Sequence, residues 1–267
     1  MQPVPICLSP VRRFSTRRIT PQSFLRCATR SPPYMTEFRA DICTLTGGKP
    51  QLLLLDLDGT LIDSVPDLAA AIDSMLVAMQ RPPAGTDAVS HWVGNGADML
   101  IRRALCQGNE NLAVHLADAD VLPARALFDR AYLAVLTRAT GAFPGAEFLL
   151  RNSGIPNVLI TNKPRLFTLP LLRALGWENL FSKILCGDDL PTKKPDPGPL
   201  LHACEWHRTD PARALMIGDS RSDIRAAKAA GVPCVAVTYG YNHGEDIALS
   251  EPDLMVNSLQ DILTDGD

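Results

Sequence analysis

Short apolar runs, bounded by glycine, proline, asparagine or aspartate, recur along the chain. They are Gln51–Leu57, Asn157–Ile160, Lys183–Cys186, Ala214–Ile217 and Cys234–Val237. Runs that stay apolar, instead of alternating with polar residues, are typical of strands buried on both faces. Helical patterns separate these runs, and strands that alternate with helices favour a parallel sheet. The pattern therefore predicts an α/β fold.

Residues 65–141 differ from the rest, because the strand signal disappears there. Four segments rich in Ala, Leu and Met are predicted to be helices: Leu68–Met79, Ala97–Cys106, Leu112–Ala117 and Ala124–Thr137. We therefore expect a helical cap domain at 65–141, inserted into a core domain formed by 50–64 and 142–267. Phe143-Pro144-Gly145 is the predicted return linker.

The first 49 residues are expected to be a tail outside both domains. Arg, Ser, Thr and Pro are prominent here, and no acidic residue precedes Glu37. A disordered tail fits this composition, and so does an extension upstream of a natural start at Met35. A targeting segment is the alternative, although the prolines interrupt any long amphipathic helix.

Charge and composition narrow the classes of function. The formal net charge of the 267 residues is -3, but six arginines precede the first acid, and the remainder carries 20 basic and 29 acidic residues. Such an acidic body argues against nucleic-acid binding. The longest apolar run is far shorter than the roughly 20 residues of a membrane span, which argues against a membrane-spanning helix. Seven scattered cysteines without a CxxC pair favour reduced thiols in a cytoplasmic protein.

Polar residues suited to catalysis follow the predicted strands. They are Asp56 and Asp58 after the first strand, Thr161 and Asn162 after the second, Lys194 in the loop after the third, and Asp219 after the fourth. Ligands of parallel sheets bind at the carboxyl ends of the strands. The sequence therefore predicts one site that gathers these side chains.

The segment from Asp56 to Thr60 is the sharpest local feature of this predicted site. Asp56 and Asp58 lie on either side of Leu57, so their carboxylates are expected near each other, with the backbone carbonyl of Leu57 or Asp58 exposed. Two neighbouring carboxylates repel, and a bound cation relieves the repulsion. Gly59 allows a sharp turn and is expected to offer its N–H to an anion.

These motifs together resemble the haloacid dehalogenase superfamily. The segments that carry the resemblance are Asp56-Leu57-Asp58-Gly59-Thr60, Thr161-Asn162, Lys194-Pro195 and Gly218-Asp219-Ser220-Arg221-Ser222-Asp223, in the order of that family. The chain further resembles its bacterial phosphoglycolate phosphatases over about residues 51–263. The segments quoted for this are Asp63-Ser64, Trp92-Val93-Gly94-Asn95-Gly96, Thr161-Asn162-Lys163-Pro164, Gly187-Asp188-Asp189, Lys193-Lys194-Pro195-Asp196-Pro197 and Thr238-Tyr239-Gly240-Tyr241-Asn242. The resemblance implies a Rossmann-like core with an inserted helical cap.

The resemblance also implies catalytic roles for two acids and a metal site. Asp56 would attack phosphorus and form an aspartyl-phosphate, while Asp58 would act as general acid and then as general base. Mg²⁺ would bind Asp56, the backbone carbonyl of Asp58, and Asp219. Asp223 would order these ligands or the metal-bound waters.

Four further residues are implied to bind the phosphate. Thr161 would supply a hydroxyl, Lys194 a positive charge, and Asn162 and Gly59 further donors. Lys194 is preferred to Lys193 because it immediately precedes Pro195, as in the family.

The implied activity is Mg²⁺-dependent hydrolysis of 2-phosphoglycolate to glycolate and phosphate. The alternatives are hydrolysis of another small phosphate ester, such as a sugar phosphate, or a phosphomutase reaction. A binding protein without catalytic activity is disfavoured because Asp56, Asp58, Asp219 and Lys194 are all present. The sequence leaves the oligomeric state open.

Overall fold

A six-stranded parallel sheet forms the centre of the protein in the computed structural model, which describes residues 36–265. Its strands, in spatial order, are β6 (Lys183–Leu185), β5 (Asn157–Ile160), β2 (Leu52–Leu55), β7 (Ala214–Gly218), β8 (Cys234–Val237) and β9 (Leu254–Val256). All five predicted strands are present, and β9 adds an edge strand that the apolar pattern did not reveal. The predicted α/β class is confirmed.

Helices cover both faces of the sheet, because side chains alternate along each strand. They are α7 (Ala146–Asn152), α8 (Arg165–Leu175), α9 (Gly198–His207) and α10 (Arg221–Ala230). Leu53 and Leu55 pack on the side of α7 and α8. Leu52 and Leu54 pack on the side of α9 and α10. Burial on both faces explains why these strands are apolar throughout.

Five helices lie in the chain segment 65–135, which follows β2. They are α2 (Val65–Ala78), α3 (Gly85–Trp92), α4 (Ala97–Leu105), α5 (Glu110–His115) and α6 (Asp118–Val135). A short antiparallel ribbon of β3 (Ile62–Asp63) and β4 (Gly141–Ala142) joins this helical cap to the core. The predicted helical insertion is therefore confirmed, with α3 as an additional helix. Within residues 36–265, no helix is both long and apolar enough to cross a membrane.

Residues 36–49 belong to the folded structure. β1 (Thr36–Phe38) pairs antiparallel with β10 (Leu263–Asp265), and α1 (Ala40–Leu45) follows it. Phe38 and Ile42 are buried in the main core. The prediction of a tail through residue 49 is thus wrong for residues 36–49, because their apolar side chains find partners in distant parts of the chain. The rest of the predicted tail, residues 1–35, lies outside the described residues.

Candidate active site

The carboxyl ends of neighbouring strands bring three aspartates together. Asp56 directly follows β2, and Asp219 directly follows β7, which pairs with β2. Asp223 lies in the first turn of α10. Carboxylate oxygens of the three residues all lie within 4.8 Å of one another. Chain topology therefore concentrates negative charge at one edge of the sheet, as predicted for parallel strands.

Lys194 inserts its ammonium group into this cluster. Its Nζ lies 2.7 Å from Asp56 Oδ1 and 2.6 Å from Asp223 Oδ1, and the side chain is 2% exposed. Burial alone would lower the pKa of Lys194, but Asp223 and Asp56 outweigh it and raise the pKa above its ordinary value. Lys194 therefore stays charged and is held against Asp56, where a transferring phosphoryl group would collect negative charge.

One lysine does not balance three buried carboxylates. Burial raises the pKa of Asp56 to about 7, opposed by Lys194 and reinforced by Asp223. Burial, together with Asp223 and Asp56, raises the pKa of Asp219 well above its ordinary value. Carboxylate oxygens in surplus over cations suit a hard divalent ion. The cluster could therefore hold a metal.

Asp219 is oriented by two donors and enclosed by two glycines. Its Oδ1 accepts a hydrogen bond from Thr60 Oγ1 at 2.9 Å, and its Oδ2 accepts one from the Tyr241 N–H at 2.8 Å. A Cβ added to Gly59 would lie 2.2 Å from Asp219 Oδ2, and one added to Gly240 would lie 2.1 Å from Asp219 Cβ. Only glycine leaves room for the carboxylate at these two positions.

Backbone hydrogen bonds of the loop after β2 alter one predicted role. The Gly59 N–H donates to the Ile62 carbonyl at 2.9 Å. The prediction that this N–H is open to an anion is therefore wrong, because the loop itself uses it. The Leu57 carbonyl accepts from the N–H groups of Leu61 and Ile62 at 2.9 and 3.1 Å. Of the two carbonyls that were expected to be exposed, this leaves that of Asp58, and its role as a metal ligand stays a prediction.

Asp58 faces a lysine that the sequence reasoning did not single out. Lys163 Nζ donates to Asp58 Oδ1 at 3.0 Å and to Oδ2 at 3.2 Å, and Ser64 Oγ also donates to Oδ1. The same ammonium lies 2.6 Å from Tyr132 Oη on cap helix α6. The position of Lys163 directly after Thr161-Asn162 was an available signal. No local pattern marks Tyr132.

Thr161 and Asn162 directly follow β5, but their side chains make different contacts. Thr161 lines the same cavity as Asp56 and Asp58, and its Oγ1 accepts from the Lys163 N–H at 3.1 Å. The Asn162 amide Nδ2 donates to the Lys194 carbonyl at 2.9 Å and to the Gly94 carbonyl of the cap at 3.2 Å. Asn162 therefore fixes the Lys194 loop, and phosphate binding by its side chain stays a prediction.

Asp223 pairs with Lys194 and also caps the start of α10. Its Oδ2 accepts from Ser220 N at 3.1 Å and from Ser220 Oγ at 2.6 Å, while Oδ1 faces Lys194. The carboxylate is fully buried. These contacts tie Asp223 to Lys194 and Ser220, and its ordering role towards a metal stays a prediction.

A second unpredicted residue, Tyr241, links the carboxylate cluster to the start of the cap. Its backbone N–H holds Asp219, and its hydroxyl donates to Asp63 Oδ1 at 2.7 Å. That hydroxyl also accepts from the Ser64 N–H at 2.9 Å, at the start of α2. The loop after β8 was recognised in the sequence, but the contact depends on tertiary folding.

A cavity lies between core and cap and is lined by several of the residues described above. Asp56, Asp58, Thr161 and Lys163 line its core side. The cap side is largely apolar and is formed by Leu68, Val93, Leu100, Phe128 and the ring of Tyr132. The cavity thus places a nucleophile candidate, an acid–base candidate and a cation around one enclosed space.

Comparison with known proteins identifies relatives of the same kind. A family model described as haloacid dehalogenase-like hydrolase matches residues 53–237. A phosphoglycolate phosphatase of Pseudomonas putida is 50% identical over 220 residues, covering 81% of this chain and 80% of that protein. The phosphoglycolate phosphatase of Escherichia coli is 46% identical over 224 residues, covering 78% and 89%. The crystal structure of a predicted phosphoglycolate phosphatase from Haemophilus somnus shares 36% identity and a TM-score of 0.74, covering 80% of this chain and 96% of that one. With the resemblance predicted from its motifs thus confirmed, the chain belongs to the haloacid dehalogenase-like hydrolases.

Proposed function

We propose that this protein is a Mg²⁺-dependent phosphatase that hydrolyses 2-phosphoglycolate to glycolate and phosphate. The observation that carries the proposal is the pair of carboxylates at Asp56 and Asp58 in one enclosed cavity, with Lys194 held 2.7 Å from Asp56. A nucleophile, an acid–base group and a fixed cation are the parts that phosphoryl transfer through a covalent intermediate needs. The names of the P. putida and E. coli relatives support the choice of substrate.

The carboxylates present fit a magnesium site. Asp56 and Asp219 would hold the ion together with the Asp58 carbonyl, and the raised pKa values of both carboxyl groups indicate a site short of positive charge. Mg²⁺ prefers such oxygen ligands and, when bound, neutralises charge on the phosphate oxygens. Thr60 and Tyr241 would keep Asp219 aimed at this position.

In the first step, an Asp56 carboxylate oxygen attacks phosphorus and the ester P–O bond breaks. Before this step Asp58 takes a proton from solvent water and gives up hydrogen bonds from Lys163. It then gives that proton to the leaving oxygen, so that an alcohol departs. Lys194 and the Thr161 hydroxyl stabilise the charge on the transferring group. The product is a phosphoester of Asp56.

In the second step, water attacks phosphorus of this intermediate and Asp56 leaves as a carboxylate. Asp58, now ionised, accepts the proton of that water, which restores both groups. The apolar cap wall excludes bulk water while the intermediate exists. One carboxyl group thereby serves both halves of the reaction.

Free thiols among the described residues support a proposal on the cellular setting. Cys43, Cys106, Cys186, Cys204 and Cys234 are free. Free thiols fit a reducing compartment, and we therefore propose a cytoplasmic enzyme acting on a small-molecule phosphate ester.

A phosphate-release screen with wild type and Asp56→Asn tests the proposal. Wild type should release phosphate from 2-phosphoglycolate only with Mg²⁺ and with a higher kcat/KM than from sugar phosphates. Asp56→Asn should lose at least about 1,000-fold in kcat, because the amide cannot form the intermediate. Equal turnover by the variant would contradict the proposed mechanism. A strong preference for sugar phosphates would contradict the proposed substrate. Analysis of the products separates hydrolysis from a phosphomutase reaction.

A further inference from the structure

Lys163 supplies the cavity with a charge that phosphate transfer does not need. Lys194 already faces Asp56, whereas Lys163 contacts Asp58 and Tyr132. Among the described residues that line this cavity, Lys163 alone carries a cationic side chain. The side chain is 4% exposed, and its ammonium contacts Asp58 and Tyr132, which also line the cavity.

We propose that Lys163 is the specificity-determining residue that binds the carboxylate of the substrate. This inference rests on the proposed function. In 2-phosphoglycolate a single carbon separates the leaving oxygen from the carboxylate, so the group that protonates the one must adjoin the group that binds the other. Asp58 and Lys163 are such neighbours, with Nζ 3.0 and 3.2 Å from the two carboxylate oxygens.

Lys163 can redirect one of its hydrogen bonds to a substrate carboxylate. An ammonium group has three N–H donors. Two of the contacts of Lys163 go to one carboxylate, that of Asp58, and the third goes to Tyr132 Oη at 2.6 Å. A substrate carboxylate can take over a proton from the paired contact without stripping Lys163 of its anchor on the cap. The exchange replaces one charged hydrogen bond by another.

The apolar residues that line the cavity strengthen the discrimination between 2-phosphoglycolate and sugar phosphates. Leu68, Val93, Leu100 and Phe128 offer no side-chain partners to hydroxyl groups. Phe128 also stacks on Tyr132, with ring centroids 5.4 Å apart. Sugar hydroxyls placed there would lose hydrogen bonds to water without replacement. A short acid instead places its carboxylate at Lys163, which replaces hydrogen bonds to water with a charged one.

The test compares two substrates that differ only at the carboxylate: 2-phosphoglycolate and its neutral carboxamide. For Lys163→Met, kcat/KM on 2-phosphoglycolate should fall about 100-fold more than on the carboxamide, as expected for loss of a charged hydrogen bond. Equal losses on the two substrates would mean that Lys163 only positions Asp58, and would overturn the inference. Lys228→Met, at an exposed lysine on α10, should leave both values unchanged.

Tyr132→Phe provides an independent variant if Lys163→Met does not fold. It keeps the aromatic packing and removes only the hydroxyl that holds Lys163. It should raise KM for 2-phosphoglycolate by about tenfold with little change for the carboxamide, and equal changes would again overturn the inference. If wild type releases no phosphate from 2-phosphoglycolate, the proposed function falls and takes this inference with it. If wild type does so, while the variants lose both substrates equally, the inference alone falls.

Discussion

In the core, the charged groups of the site are held by partners that follow the ends of the sheet strands, whereas the cap reaches the site through a few single contacts. Lys194, Asp56 and Asp223 form a buried ionic cluster. The cap contributes the Tyr132 hydroxyl to Lys163 and the Gly94 carbonyl to Asn162. If the proposed function holds, this difference would let the sheet edge supply the chemistry and the cap select the substrate.

The largest expected effect lies in the core, at Lys194. Lys194→Met should lower the free energy of unfolding by about 3–5 kcal/mol, because it leaves buried carboxylates without their cation. Lys193→Met, at the exposed neighbouring lysine, should change it by less than about 0.5 kcal/mol. Urea unfolding followed by circular dichroism measures both. Equal effects of the two variants would contradict the proposal that the buried ionic cluster contributes more to stability than its exposed surroundings.

The pH dependence of stability should follow the same cluster. Burial raises the pKa of Asp56 from 3.8 to about 7, so between these values the folded protein binds a proton that the unfolded chain has released. The metal-free protein should therefore lose stability as pH rises from about 4 to about 7, by up to a few kcal/mol at about 1.4 kcal/mol per pKa unit.

Magnesium should cancel this loss, because it binds the ionised carboxylates. The increase in Tm caused by millimolar Mg²⁺ should thus be larger at pH 8 than at pH 5. Thermal unfolding with Mg²⁺ or with a chelator checks the prediction. An increase that is the same at both pH values would contradict a metal site built on Asp56 and Asp219.

Gly240 tests how tightly the core encloses Asp219. Gly240→Ala should destabilise the protein by about 1–3 kcal/mol and weaken Mg²⁺ binding, because the added methyl would lie 2.1 Å from Asp219 Cβ. Gly141→Ala is the matched control at the junction with the cap, where an added Cβ meets nothing within 4 Å. Its effect should stay within about 0.5 kcal/mol. Calorimetric Mg²⁺ titration distinguishes the two, and similar binding by both would contradict the close fit.

Tyr241 tests the connection between the two regions and carries the smallest expected effect. Tyr241→Phe should cost about 1 kcal/mol and reduce hydrogen-exchange protection at the start of α2, because Ser64 N–H loses its acceptor. Tyr239→Phe is the control, since its hydroxyl donates to the Thr60 carbonyl within the core. Equal loss of protection in α2 for both variants would show that the cap is not tied through Tyr241.

Sequence patterns predicted the core better than the cap, for a physical reason. Strands such as Leu52–Leu55 and Cys234–Val237 are buried on both faces and therefore apolar throughout, which makes them visible in the sequence. The edge strand Leu254–Val256 is short and has the half-exposed Met255 at its centre, so it lacks that pattern. Helix Gly85–Trp92 was missed because it begins with glycine and is mostly polar.

The features of the candidate site likewise differ in how well the sequence predicted them. Asp56, Asp219 and Lys194 follow strands that the sequence revealed, so their convergence was predictable from parallel topology. Gly59 was misjudged because the use of its N–H depends on a backbone bond to Ile62. The contact between Lys163 and Tyr132 joins residues 31 positions apart, on core and cap. Only the packing of the cap on the core brings these two together.

The central place of β2 in the sheet also governs the order in which the protein can be completed. Its two partners begin at Asn157 and Ala214, more than 100 residues further along the chain. The helices from Val65 to Val135 contact one another and are complete before either partner strand exists. A chain that is growing on the ribosome therefore possesses its whole cap while the strand beneath Asp56 still lacks a neighbour. The strand that carries Asp56, although early in the sequence, therefore gains its two neighbours only late in synthesis.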